Sequence, residues 1–177
     1  MNNTNHSVLA LHMGDSFKKL SPVLQMAHLG RRRLEGDVTV SQGNAIARVI
    51  CRLFNLPQSG SNIDLSVDFE HDTNTMEWHR NFNGQPMNSS FHRNGDYLIE
   101  KLGPFALTLK ATEHQGELLY HFTKTAFLGI PLPEFIRPRI VASEREHDGR
   151  YQFSVEVSML LVGKLICYGG LLTVEPV

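Results

Sequence analysis

Residues 63–70, Ile63-Asp64-Leu65-Ser66-Val67-Asp68-Phe69-Glu70, alternate apolar and polar side chains without a fault. A period of two sends successive side chains to opposite faces, so the segment reads as a strand with one buried and one wet face. The same pattern recurs from Leu34 to Val40, Thr75 to Phe82, Met87 to His92, Tyr97 to Leu102 and Phe105 to Ala111. It continues from Leu118 to Lys124, Ile140 to Glu146, Tyr151 to Val157 and Lys164 to Thr173. Asn83-Gly84, Asn94-Gly95, His114-Gln115-Gly116 and Asp148-Gly149 separate these stretches. Such residues tolerate the positive φ of tight hairpins, and short connections force antiparallel neighbours. The spacing predicts an α+β fold: a large curved antiparallel β-sheet, a partial barrel or grip of about nine or ten strands, covering N-terminal helices.

Helical signals are confined to the first third. Ser21-Pro22, then Val23, Leu24 and Ala27 with a stop at Gly30, predict a short helix from Pro22 to Leu29. Asp15 and Ser16 cap a further turn through Phe17 and Leu20. Asn44 precedes Ile46, Val49, Ile50, Leu53 and Phe54 at helical spacing, ended by Pro57. This helix, Asn44 to Leu56, is expected to cover the sheet's apolar face, with Arg48 and Arg52 toward water. The triple Arg31-Arg32-Arg33 reads as a solvated connection after the first helix. Residues 1–177 read as one domain, with 1–14 a loosely ordered arm. Gly103 and Gly169-Gly170 mark bends or bulges.

A chain of 177 residues with a formal charge of −1 can bury a core without disulfides or metal. The balance argues against a nucleic-acid binder, which carries a basic excess. Cys51 and Cys167 are too few for a disulfide scaffold. Met1 to His6 lacks a positive start, Val8 to Leu11 is short for a signal-peptide core, and Met159 to Leu172 is broken by Gly163, Lys164, Gly169 and Gly170. These features predict a cytoplasmic location, reduced thiols and no stable membrane insertion.

The run Trp78-His79-Arg80-Asn81-Phe82-Asn83-Gly84, then Gly103-Pro104-Phe105, Gly129-Ile130-Pro131-Leu132-Pro133, and Glu144 with Asp148-Gly149-Arg150-Tyr151-Gln152-Phe153 resembles the bacterial family catalogued as domain of unknown function 4166. The resemblance runs from about His28 to Gly170. It implies a domain found alone or fused behind short-chain-dehydrogenase-like domains, and it implies no particular activity. A family tendency toward proline in the last apolar stretch gives way here to Met159-Leu160-Leu161. The chain has no G-x-G-x-x-G of its own, so a reductase would enter only as a protein partner.

Charges on apolar strand faces are the most informative site candidates. Met76, Trp78, Arg80 and Phe82 share one face, so the Arg80 guanidinium needs a carboxylate, carbonyls or water. Glu100 lies with Leu98 and Leu102, and Glu144 with Ile140 and Ala142; either could pair with Arg80. The plain reading is a structural ion pair. The sharper one is an anchor for an anionic ligand head, with Glu100 or Glu144 as acid, base or orienting group. His28, at the end of the first helix, reads as a core histidine, and is the best general base if the protein is an enzyme.

Nine histidines raise the question of metal. No H-x-H, H-E-x-x-H or C-x-x-C occurs. A two-residue turn at Asn83-Gly84 sets Arg80 opposite Met87, Trp78 opposite Ser89 and His79 opposite Asn88, leaving His92 roughly 13 Å along the strands from His79. No metal site or cofactor is expected. Both cysteines read as core, and no nucleophile elbow is present.

The segment from Phe127 to Arg139 carries three prolines. It is expected to cap an open barrel end by burying Leu132, Phe135 and Ile136, or to serve as a lid or docking patch for a partner or membrane. The leading expectation is a noncatalytic binding domain with an apolar pocket for a hydrophobic or lipid-like small molecule. The alternatives are an accessory module for a separate oxidoreductase, and an enzyme with an Arg/Glu cluster in its cavity.

Overall fold

A computed structural model describes residues 7–176 of the chain. Its strands are β1 (Arg31–Gln42), β2 (Gly60–His71), β3 (Thr75–Phe82), β4 (Gln85–Asn94), β5 (Tyr97–Leu102), β6 (Phe105–His114), β7 (Glu117–Phe127), β8 (Ile130–Pro131), β9 (Arg139–His147), β10 (Arg150–Met159) and β11 (Gly163–Pro176). Each long strand pairs antiparallel with its sequence neighbour, β7 passing over the two-residue β8 to reach β9. Two-residue turns make most of the hairpins, and Asn83, Gln115 and Asp148 take positive φ, each ahead of a glycine. The register predicted from Asn83-Gly84 is the one observed: Arg80 faces Met87, Trp78 faces Ser89 and His79 faces Asn88.

The sheet does not stop at a partial barrel. β1 pairs with β11 from Arg32↔Pro176 to Gln42↔Ile166, so ten strands close into a barrel with β8 as an extra strip on β7. Closure removes both sheet edges, which an open sheet of this length would leave unpaired. Gly169 and Gly170 have their role here. A Cβ on Gly169 would lie 2.4 Å from the Phe153 carbonyl oxygen, and one on Gly170 would lie 2.5 Å from that of Asp37. At these two positions the neighbouring backbone comes too close to β11 for a side chain.

The inward faces fill the barrel with Leu65, Val67, Phe69, Met76, Phe91, Leu98, Leu109 and Leu118, all buried. This explains a second departure from expectation. Helix α3 (Ala45–Leu53) is capped by Asn44, whose side chain accepts from the Ala47 amide at 3.0 Å. It does not cover an apolar sheet face, because the closed barrel presents none. It lies at one barrel end beside β1 and β11, burying only Ala47 and Cys51. Ile46, Val49 and Leu53 are left 60, 57 and 75% exposed.

That same end carries the turns after β3, β5, β7 and β10. Leu128, Ile130, Phe135, Leu160 and Leu161, all on those connections, are likewise more than half exposed. The expected burial of Phe135 is therefore not found: the three prolines turn its segment outward, and only Leu132 and Ile136 are half-buried. Arg31, Arg32 and Arg33 are the first residues of β1 and no connection, because Arg33 and Arg31 pair across the strands with Asp68 and Glu70.

The opposite end is plugged by the N-terminal segment. α1 (Val8–Met13), a 3-10 turn (Gly14–Lys19) and α2 (Pro22–Ala27) fold there. Residues 1–6 of the expected arm lie outside the described residues. From Ser7 onward the chain is anchored: Val8 and Leu9 are fully buried, and Ser7 caps α1 through the Ala10 amide. The alternation Val8-Leu9-Ala10-Leu11 is too short to show helical periodicity, which hid this element. Among the described residues no helix is long and apolar enough to cross a membrane. If the plug belongs to the core, Leu9→Ala costs about 2–5 kcal/mol, read as a lower urea midpoint at unchanged slope; a loose arm would leave the midpoint unmoved.

Candidate functional site

The site is built from the inward faces of β2 to β7 and β9 to β11, where period-two alternation places polar residues among large apolar ones. Trp78, Arg80, Glu100 and Glu144 all line one internal cavity of about 100 Å³. Tyr120, Tyr151 and Tyr168 line it as well. Phe82 is buried near the α3 end and His28 is fully buried, and neither lines the cavity.

Arg80 pairs with Glu100, on β5, and not with Glu144. Its Nη2 lies 3.6 Å from Glu100 Oε1 and donates to Ser89 Oγ at 3.2 Å; Nη1 donates to the Met87 carbonyl at 3.5 Å. These are long contacts for a side chain with five N–H donors. Its guanidinium carbon stands 4.8 Å from the centroid of the Trp78 ring, a cation–π contact. Burial pushes the Glu100 carboxyl above the ordinary range, and the pull of Arg80 and Ser89 only partly offsets it.

Glu144 belongs to a second couple. His28 ends α2 as its cap residue, and its Nε2 meets Glu144 Oε2 at 2.6 Å. The Tyr120 hydroxyl donates to Glu144 Oε1 at 2.9 Å. Burial, and then the Glu144 charge, hold the Tyr120 and Tyr151 phenols well above the usual range, so both stay protonated as donors. The His28 ring stacks on Phe69 and meets His71 edge-on. Burial, with the charges of His28 and Arg32, holds His71 well below the ordinary histidine range. The Glu144 oxygens are thus already engaged, and His28 stands behind them, away from the cavity.

Trp78 lies between the two couples, 6.1 Å from His28 and 6.4 Å from Tyr120 by ring centroids. Its Nε1–H is buried with no acceptor. An unpaired buried donor costs free energy, which makes it a place to look for a missing partner. Cys51 is buried, with its Sγ 3.6 Å from the Leu165 carbonyl, and burial pushes its thiol up, away from the thiolate.

The sequence pointed to Trp78, Arg80, Glu100 and Glu144, which share the cavity, and missed its tyrosines and the Arg80 partner Ser89. Tyr120 lies two positions from buried Leu118 on an alternating strand, so period two was the available signal. No single strand pattern assigned Glu100 rather than Glu144 to Arg80; the choice depends on strand order, which sets β5 two strands from β3 with β4 between them.

A ten-stranded antiparallel barrel with one end plugged and two buried polar couples inside defines a closed-barrel domain with an internal cavity. The chain belongs to the family described as domain of unknown function (DUF4166), which matches residues 20–172. No curated protein matches it.

Removing one member of a buried pair strands the other, so His28→Ala is expected to cost about 3–5 kcal/mol, with a double-mutant cycle against Glu144→Ala showing strong coupling. Additive effects would show that the two groups merely adjoin. Because the folded pKa of Glu100 is raised, its stabilising contribution is complete below the unfolded carboxylate range and declines as pH rises through the folded pKa. Melting temperatures across this window should therefore show Glu100→Gln gaining on the wild type as pH rises. A gain in the opposite direction would show that pairing with Arg80 outweighs burial.

Proposed function

We propose that this protein is a noncatalytic binding domain whose barrel takes up a small hydrophobic carboxylic acid, its head group against Arg80 and Trp78. One observation carries the reading: two residues with underused donors line the same mostly apolar cavity. Trp78 Nε1 has no acceptor and Arg80 has only long ones. A carboxylate offers two oxygens to such donors, and charge-assisted contacts are the strong ones. Burial also favours the neutral form of Glu100, which leaves the Arg80 cation available to a second anion.

Size limits the occupant. A cavity of about 100 Å³ is well below the roughly 300–1,000 Å³ of drug-sized pockets and nearer to a space that holds one aromatic ring. Leu102 borders both this cavity and a groove of about 170 Å³ between Phe54 and Phe105. The separation of His28 from the cavity favours binding over acid–base catalysis, since a general base must reach its proton.

Trp78 is the sole tryptophan, so its fluorescence reports the cavity directly. Titration with aromatic and branched-chain carboxylic acids is expected to give a saturable change. At about 100 times Kd, binding should add about 2.7 kcal/mol, a rise of roughly 5–10 °C in melting temperature. Arg80→Met should weaken the acids about tenfold or more while leaving the corresponding amides alike in both proteins. Native mass spectra of freshly purified protein without any extra mass, together with a flat fluorescence titration, would overturn the reading.

A further inference from the structure

We propose that the α3 end of the barrel docks on an anionic lipid surface, its exposed apolar side chains entering the headgroup layer and its basic side chains meeting lipid phosphates. Among the described residues, nine large apolar side chains are more than half exposed, and all but Val141 lie at this end. Single exposed apolar residues need no explanation; a contiguous set does.

The set is contiguous. The Asn44 side chain donates to the Val162 carbonyl at 3.0 Å, which ties α3 to the turn bearing Leu160 and Leu161. At the other end of α3, Phe54 packs on Phe105 and Phe127, next to Leu128. Leu128 itself has φ +49°, whereas among the described residues every other positive-φ residue apart from glycine is Asn, Gln or Asp. A leucine in that conformation is strained, and at 70% exposure its side chain gains little from the fold.

Charge selects the occupant. The connections at this end bring Arg48, Arg52 and Arg137 against the single acid Glu134, and Arg139 and Lys164 stand at the strand starts beside them. The plugged end is mixed in sign: Asp72, Asp96 and Asp148 on its turns stand beside Lys18, Lys19, Arg31, Arg32 and Arg33. A second copy meeting this face would set cations against cations. An anionic bilayer satisfies both the apolar and the basic parts, as interfacial amphipathic surfaces do. These exposed apolar and basic side chains form a collar at the α3 end, and none of them lines the internal cavity, so this surface is independent of the ligand reading.

Co-sedimentation with phosphatidylcholine vesicles containing phosphatidylglycerol tests the proposal. The full chain should bind these vesicles, and bind pure phosphatidylcholine or high-salt samples far less. Leu53→Asp with Leu161→Asp should lower partitioning about tenfold or more, as should Arg48→Glu with Arg52→Glu. Val141→Asp, equally exposed but on the barrel wall, should bind like the wild type, and so should Arg80→Met, whatever its effect on the cavity. Wild-type protein that ignores anionic vesicles overturns the proposal, as do collar variants that bind undiminished. A dimer in sedimentation velocity that the collar variants split, without vesicle binding, assigns the face to a second copy and overturns it too.

Discussion

The pairing of β1 with β11 is the constraint on which the rest depends. Without it the sheet would be an open meander with two unpaired edges and an apolar face needing cover. With it, the inward side chains of ten strands cover one another. α3 then packs through Ala47 and Cys51 at the barrel end, and Ile46, Val49 and Leu53 turn outward. Polar groups on the inward faces are cut off from water, so they must find partners inside.

They do so as two couples, Arg80–Glu100 and His28–Glu144–Tyr120, divided by the Trp78 ring. The couples differ in kind. His28 is delivered by α2, so its contact with β9 joins plug to barrel and acts as architecture. Arg80 and Glu100 come from the wall itself and keep unspent hydrogen-bonding capacity beside the cavity. The ligand reading attaches to the second couple for that reason.

Local patterns carried most of the fold. Alternation and turn residues located all ten long strands, and Asn83-Gly84 alone gave the correct β3–β4 register. The buried status of Arg80, Glu100 and Glu144 was legible because each interrupts an apolar face. Three things were not legible, and each is long-range. Closure joins residues more than a hundred positions apart, as in Leu34↔Val174. The partner of Arg80 depends on strand order around the barrel. The outward aim of Ile46, Val49 and Leu53 reversed an amphipathic helix, whose pattern tells that one side is apolar but never what that side will meet.

The seam between β1 and β11 also sets a timetable. A ribosome makes the first strand of this barrel long before its closing partner, and until residues 163–176 emerge the nascent sheet keeps a raw edge along β1. Folding of such a chain is dominated by distant contacts and is slow for its size. Throughout that interval the uncovered edge can recruit other strands. Truncation near the C-terminus should therefore be far more damaging to yield than its small share of the core would suggest.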